Sequence, residues 1–447
     1  MRPISGRVYR SIMGDPPEAT GRTARRPWSA AQGHYLRPVS GGHAPVGGSP
    51  GAGAARACNA VCVPNVDDIL AVRLRRQLLD GQSAAAGGPA SVVRHFCALQ
   101  AQDYPGALWS VGMRCGGVTT AADVERAIAR RLIVRTWPLR GTLHLIAPED
   151  VRWILGLLGP QVVARAATRH AQLGLTEPDI ARARSVVAEA LRGGRSLTRA
   201  ELMATLESAG ISTSGQRGYH IAWTLALKGI LCCGPMAGKK QTFVLLDDWI
   251  PHNDQPPLAR PVALGRLAAR YFEAHGPATL ADFAWWTGLT RTDARLGISE
   301  AAGSLERLAT GGVEYWVTKG TLESKDEVLG SAESSAQCPG GPIVNLLPAY
   351  DEYMLGYTDR SLQLGEHAGR PGKAVPANGR LSPLLAIEGR VSGTWKRTVK
   401  RDQVQVQVAP FATLTKAERT ALEEEALRYG RFLGLPAAVD AHSRGRP

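Results

Sequence analysis

Groups of helices closed by a β-hairpin recur three times along this chain, and the recurrence limits the fold more than any other feature of the sequence. The first pass opens near Val66 with DDILAVRLRRQLLD, where Ile69, Leu70, Leu74, Leu78 and Leu79 keep helical spacing, Asp67 or Asp68 can cap the start, and Gly81 marks the end. A second helix follows Pro89 through Val92, Val93, Phe96 and Leu99. A third follows Pro105 through Leu108, Trp109 and Met113, and TAADVERAIARR supplies a fourth. LIVRTWPLRGTLHLI then predicts a hairpin with Pro138, Arg140 and Gly141 at its tip.

The order returns in SLTRAELMATLESAG and GQRGYHIAWTLALKG, followed by a hairpin in ILCCGPMAGKKQTFVLL with Gly238, Lys239 and Lys240 at its tip. A third pass runs from PVALGRLAARYFEAHG through TLADFAWWTGLTRTDARLGI to SLERLATGGVEYWVT, turned by Gly311 and Gly312. Helices followed by a hairpin are the winged-helix layout, and a basic tip suits a wing laid along a phosphate backbone. Farther on, LSPLLAIEGRVSGTWKR and QVQVQVAPF alternate as strands, and TKAERTALEEEALRYGRFLG closes the chain as a helix. The expected fold is therefore α+β, with three tandem winged-helix units and a C-terminal β-rich, barrel-like element.

The expected boundaries are a disordered basic leader at 1–64, a first winged-helix unit with helical scaffold at 65–183, a second at 184–256, a third at 257–325, and a β unit with its closing helix at 326–447. Lys and Arg number 53 against 39 Asp and Glu, a formal charge of +14 that favours a polyanionic partner. The leader holds eight of those Arg against two acids, so the excess over the rest is moderate. No apolar run reaches the roughly 20 residues that span a bilayer. Seven scattered Cys, an odd number without zinc-ligand spacing, predict reduced thiols rather than a disulfide framework or metal site. Cys58 and Cys62 fall in the leader, and Cys232 and Cys233 in a strand-like run. No cofactor motif appears, so a cytoplasmic, nucleoid-associated protein without cofactor or metal is expected.

The most informative short segment is LQAQDYPGALWS. Gln100 and Gln102 diverge on a helix but point the same way in extended backbone, and Pro105 disfavours the helical basin at Tyr104. A break here aims two amides at one spot, although from the residues alone the commoner role of such a pair is to satisfy helix-end backbone groups in a turn. Asp103 suits a cap for the helix at Pro105. His144 alternates with Leu143 and Leu145 and is expected to face away from the apolar side, as a solvent or phosphate contact. Asp351 and Glu352, with Tyr350 and Tyr353, form the densest acidic-aromatic cluster. They suit orienting water or stacking beside a displaced base, or a buried network tied to Arg360. Arg135, Arg140, Lys396 and Arg397 are candidates for phosphate contacts. Trp285 and Trp286 cannot share a helix face, and core packing claims at least one.

The run from about Asp67 to Ile250, with LLPAYDEYMLGYTDRS and SGTWKR beyond it, resembles a bacterial family of winged-helix proteins that includes the AlkZ-like DNA glycosylases, which unhook azinomycin-type crosslinks. Its most specific shared pieces are LQAQ, RTWPLRGTLHLI and LLPAYDEYMLGYTDR. The resemblance implies that the Gln-x-Gln at Gln100 and Gln102 is the catalytic motif, where a sister group carries Gln-x-Asp. It also implies three winged-helix units and a barrel-like element around duplex DNA, and hydrolysis of the N-glycosidic bond of N7-alkylguanine. Such a base is already cationic and leaves without a strong general acid, whereas a glutamine cannot titrate and is a poor base. Lys239 and Lys240 read as wing cations and Lys396 and Arg397 as phosphate contacts, so no Schiff-base lysine is expected and the enzyme should be a monofunctional monomer. A noncatalytic winged-helix regulator is the competing expectation.

Overall fold

A computed structural model describes residues 66–85, 87–250, 257–321, 341–367 and 381–441. The leader at 1–64, with Cys58 and Cys62, and the polar stretch at 322–340 lie outside the described residues. The first pass forms α1 (Val66–Arg76), α2 (Gly88–Phe96), α3 (Tyr104–Gly112) and α4 (Ala121–Ala129). Leu99, expected in the second helix, lies instead in a strand. Cys97 adopts φ 64°, outside the helical basin, and turns the chain into β1 (Ala98–Gln100). The hairpin follows as β2 (Val134–Thr136) and β3 (His144–Ile146), with Gln100 opposite His144 and Thr136 opposite His144.

α5 (Pro148–Arg165), α6 (Ala167–Gln172) and α7 (Glu177–Leu191) carry the chain to the second pass. That pass comprises β4 (Leu197–Thr198), α8 (Arg199–Ser208), α9 (Arg217–Leu227), β5 (Leu231–Cys233), β6 (Thr242–Leu245) and the short α10 (Leu246–Trp249). The first two hairpins do not stand apart. Arg135 pairs with Cys233, so they join in one six-stranded sheet of order β1-β3-β2-β5-β6-β4. The first tip is accordingly closed in: Trp223 Nε1 donates to the Gly141 carbonyl at 3.0 Å, and Gly141 has φ 75° with the Trp223 ring where a Cβ would stand.

The third pass is α11 (Arg260–His275), α12 (Leu280–Thr287), α13 (Arg291–Glu300) and the separate hairpin β7 (Leu305–Thr310) and β8 (Val313–Thr318). The C-terminal sheet has the order β13-β12-β11-β10-β9, from β9 (Val344–Leu347), β10 (Leu384–Ile387), β11 (Arg390–Val399), β12 (Val404–Pro410) and β13 (Ala437–Ala441). It corrects the barrel-like expectation. The helix Lys416–Leu433 returns the chain so that β13 pairs in parallel with β12 at one edge while β9 forms the other, and the sheet stays open.

The result is a mixed α+β molecule. Residues of α1 to α4 share one apolar core with the C-terminal sheet and its helix, where Trp109 packs on Tyr429 at 4.9 Å and Phe432 at 5.1 Å between ring centroids. A second core joins α5 and strands of the first sheet to α11, α12 and α13, and a third packs the second pass with α7, Val162 of α5 and Trp137 and Leu143 of the first hairpin. Among the described residues no helix is long and apolar enough to cross a membrane.

Candidate active site

The two glutamines sit where the first and second cores meet the edge of the six-stranded sheet. Gln100 ends β1 and is buried; Gln102, two residues on, is half-buried. The strand ends at Gln100 and Gln102 lies in the bend that follows, where hydrogen bonds fix both amides. Gln100 Oε1 accepts from the Gln102 backbone N–H at 2.5 Å, and Gln102 Oε1 accepts from the Leu143 N–H at 3.3 Å. Each oxygen thus engages a backbone donor, and neither NH2 group has a hydrogen-bond partner among the described residues.

Glu352 lies directly behind. Its Oε1 accepts the Gln100 backbone N–H at 2.9 Å, while Oε2 accepts from Trp286 Nε1 at 3.0 Å and pairs with His275 Nε2 at 3.2 Å. Burial would push this carboxyl up, but the hydrogen bond and charge of His275, together with the Gln100 N–H, hold it below the usual glutamate value. Its neighbour Asp351 does something else. It caps the short helix Glu352–Leu355 through the Tyr353 N–H and forms a fully buried pair with Arg114, at 2.7 and 2.9 Å. The partner is Arg114, not the expected Arg360, whose Nε donates to the Met354 carbonyl.

His144 corrects the reading that it faces away from the apolar side. It is fully buried: Ile146, two residues on in the same strand, belongs to the core built from α5 and the third pass, while Leu145 belongs to the first core and Leu143 to the third. Its Nδ1 donates to the Thr142 carbonyl at 2.9 Å. Burial, helped by the Arg140 guanidinium and opposed by Glu352, brings its pKa down to about 4, so the ring is neutral at neutral pH.

Two arginines also depart from expectation. Arg135 is 7% exposed and donates to the Ala101 carbonyl at 3.2 and 2.8 Å and to Gln241 Oε1 at 2.5 Å, clamping the residue between the glutamines rather than reaching toward phosphate. Arg140, φ 53°, turns inward and donates to the Trp285 and Trp286 carbonyls at the end of α12; burial pulls its pKa down to about 10, still charged at neutral pH. Trp286 is fully buried and Trp285 is half-exposed, as their adjacent helical positions require.

Asp103 occupies the N-cap position of α3 in extended backbone but makes no capping hydrogen bond, contrary to expectation. The helix starts at Tyr104, one residue before Pro105, so the break falls at Asp103 rather than Tyr104. Lys239 and Lys240 stand exposed at the β5–β6 tip, and Lys396 is exposed on β11 with Arg397 over the Tyr429 ring at 6.0 Å. None of these four makes a hydrogen bond or ion pair to the glutamines. The residues missed by sequence reasoning are His275, Trp286, Thr136 and Arg114. They come from distant helices and strands, and only the folded chain carries a signal for them.

The fold thus places a pair of neutral amides at a sheet edge, the first tied through its backbone to a buried carboxylate. The sequence model of the family described as DNA glycosylase AlkZ-like matches residues 93–432, so the chain belongs to the AlkZ-like DNA glycosylase family and is an N-glycosyl hydrolase of the DNA-repair class. Over 388 residues it is 28% identical to a Streptomyces sahachiroi protein named "Interstrand DNA cross-link repair glycosylase", a match that spans 82% of this chain and 96% of that one. It is also similar to the solved structure of Streptomyces sahachiroi DNA glycosylase AlkZ, with TM-score 0.67 and 26% identity over 84% of this chain and all of the other.

Proposed function

We propose that this glycosylase hydrolyses the N-glycosidic bond of bulky or crosslinked N7-alkylguanine in duplex DNA, with Gln100 and Gln102 as its catalytic pair. The observation that carries the reading is the fixed amide pair, with both oxygens on backbone donors and two NH2 groups free to hold a water or sugar oxygen. Neither amide can protonate a leaving base. The chemistry therefore depends on a base that is already cationic and departs neutral, which an N7-alkylated guanine does. The name of the Streptomyces relative, an interstrand cross-link repair glycosylase, supports the crosslinked substrate.

No lysine takes part in the hydrogen bonds of the glutamine pair, which favours a monofunctional enzyme that leaves an abasic site. We further read 65–183, 184–256 and 257–325 as winged-helix units ahead of the 326–447 unit, gripping duplex DNA as a monomer. Lys239, Lys240, Lys396 and Arg397 supply cations to its phosphates. The test is base release from a duplex carrying one N7-alkylguanine, with and without a crosslink to the opposite strand. Q100A/Q102A should abolish release while duplex binding persists; release unchanged in the double variant ends the mechanism.

A further inference from the structure

Three side chains line up across the edge of the six-stranded sheet. His144 on β3 is the register partner of Gln100 on β1 and also of Thr136 on β2. Directly opposed residues of antiparallel strands point to one face with Cβ atoms roughly 4.5–5.5 Å apart. Gln100, His144 and Thr136 therefore form a single row.

Two members of that row are unsatisfied. His144 Nε2 and Thr136 Oγ1 are both fully buried and find no hydrogen-bond partner among the described residues. The tautomer of His144 follows from its other nitrogen: a carbonyl only accepts, so Nδ1 carries the proton toward Thr142, and in the neutral ring Nε2 is a bare acceptor. A buried acceptor beside a buried hydroxyl costs free energy unless something bridges them, and a water with two to four polar partners is the ordinary solution. The Gln100 NH2, free on the same face, is a third partner.

We propose that a water molecule sits between His144 Nε2 and Thr136 Oγ1 beside Gln100, and that His144 accepts, through this water, the proton released in glycosidic hydrolysis. The inference rests on the glycosylase reading of Gln100 and Gln102, and it supplies what those amides lack. When the N7-alkylated base departs, the C1′–N9 bonding pair leaves with it and the base becomes neutral. The attacking water forms the C1′–O bond, and its surplus proton passes along the bridging water to Nε2, giving an imidazolium.

The surroundings suit a transient charge there. The Glu352 carboxylate, from the helix Glu352–Leu355, favours the imidazolium and the Arg140 guanidinium, from the β2–β3 turn, opposes it, so the proton is held briefly and returned to solvent. Glu352 itself is a poor recipient, since both its oxygens are engaged by Gln100, Trp286 and His275. Asp103 is the rival acceptor: it lies beside Gln102, partly exposed, without a capping bond.

Single-turnover base release from a duplex bearing one N7-alkylguanine tests the assignment in H144Q, T136V and D103N. H144Q and T136V should slow release by at least about tenfold, with duplex affinity unchanged and the wild-type solvent deuterium isotope effect lost in H144Q. D103N should release at the wild-type rate. Wild-type release in H144Q, or a collapse confined to D103N, overturns the proposal. If the variants do not fold, a crystal structure of the wild-type protein at atomic resolution decides it: a water bonded to both Nε2 and Oγ1 supports the assignment, and an empty gap or direct contact rejects it. Absence of release by the wild-type protein sinks the substrate reading instead, and the same crystal structure still decides the water.

Discussion

The backbone N–H of Gln100 donates to Glu352 Oε1 at 2.9 Å, between residues 252 apart in the chain. That bond ties the edge strand of the first sheet to the short helix that follows β9, and the other carboxylate oxygen ties the same helix to α11 and α12. One side chain thus sets the position of the amide pair relative to three parts of the molecule. Its failure should reach the site before it reaches the fold.

Glu352→Gln keeps the shape but places an NH2 or an uncharged oxygen against the donors of His275 and Trp286. Thermal and denaturant unfolding should show a loss of about 1–3 kcal/mol, the cost of a mismatched buried polar group. Base release should fall more than duplex affinity, because Gln100 is displaced while the exposed cations are untouched. Equal losses in binding and release would contradict this positioning role.

Arg114→Leu leaves Asp351 charged and buried without its partner. Breaking such a pair costs about 3–5 kcal/mol, to be read as a lowered denaturant midpoint at unchanged slope. Exposed pairs such as Arg307–Glu314, at 3.0 Å, serve as the control, and Arg307→Ala should shift stability by less than about 1 kcal/mol.

Acid should destabilise the fold through His144. Its folded pKa of about 4 lies below the ordinary histidine value of about 6.5, so the unfolded chain binds the extra proton in that window. The contribution is complete above about pH 6.5 and is lost as pH falls toward 4, at most about 3 kcal/mol. Glu352, held below its usual value, adds a loss at lower pH as it protonates. Unfolding midpoints measured from pH 7 to 4 should fall, and H144Q should fall less over the same range.

Gly141→Ala forces a Cβ onto the Trp223 ring at a backbone φ of 75°. Strain plus overlap should cost about 2 kcal/mol or more, seen as a lower melting temperature. Gly311→Ala meets nothing within van der Waals reach and has φ 56°, so only the backbone strain remains and the loss should be smaller.

Charge reversal at Lys239 and Lys240 should weaken duplex binding across sequences, at constant melting temperature. The slope of log affinity against log salt should become shallower by about 0.9 for each phosphate that the variant no longer neutralises. Arg135→Met should do the opposite. It strips the Ala101 carbonyl of two donors and should lower stability and base release while leaving the salt slope unchanged. A reduced slope in Arg135→Met would return that residue to the DNA interface.

Local chemistry was legible where the chain decides conformation by itself. The first helix, the helices at Pro89 and Pro105, the fourth helix in TAADVERAIARR and the turns at Gly141 and at Gly311–Gly312 follow from spacing and backbone freedom. The amide pair at Gln100 and Gln102 was visible because residues two apart in extended backbone share a face, although its burial was not. The direction of His144 was not legible, nor were the partner of Asp351, the inward turn of Arg135 and Arg140, and the openness of the last sheet. Each depends on which distant surface packs over the residue, and periodicity carries no record of that.

From its amino acids alone, then, the chain specified helices, hairpins, a closely spaced pair of uncharged amides and an excess of cations, because these rest on composition and on interactions among near neighbours. The joining of two hairpins through Arg135 and Cys233, the burial of His144 and the seat of Gln100 on Glu352 were settled by packing between segments far apart in sequence. A β-strand shows which side chains share a face, but whether that face meets water or another element is fixed by the partner that covers it.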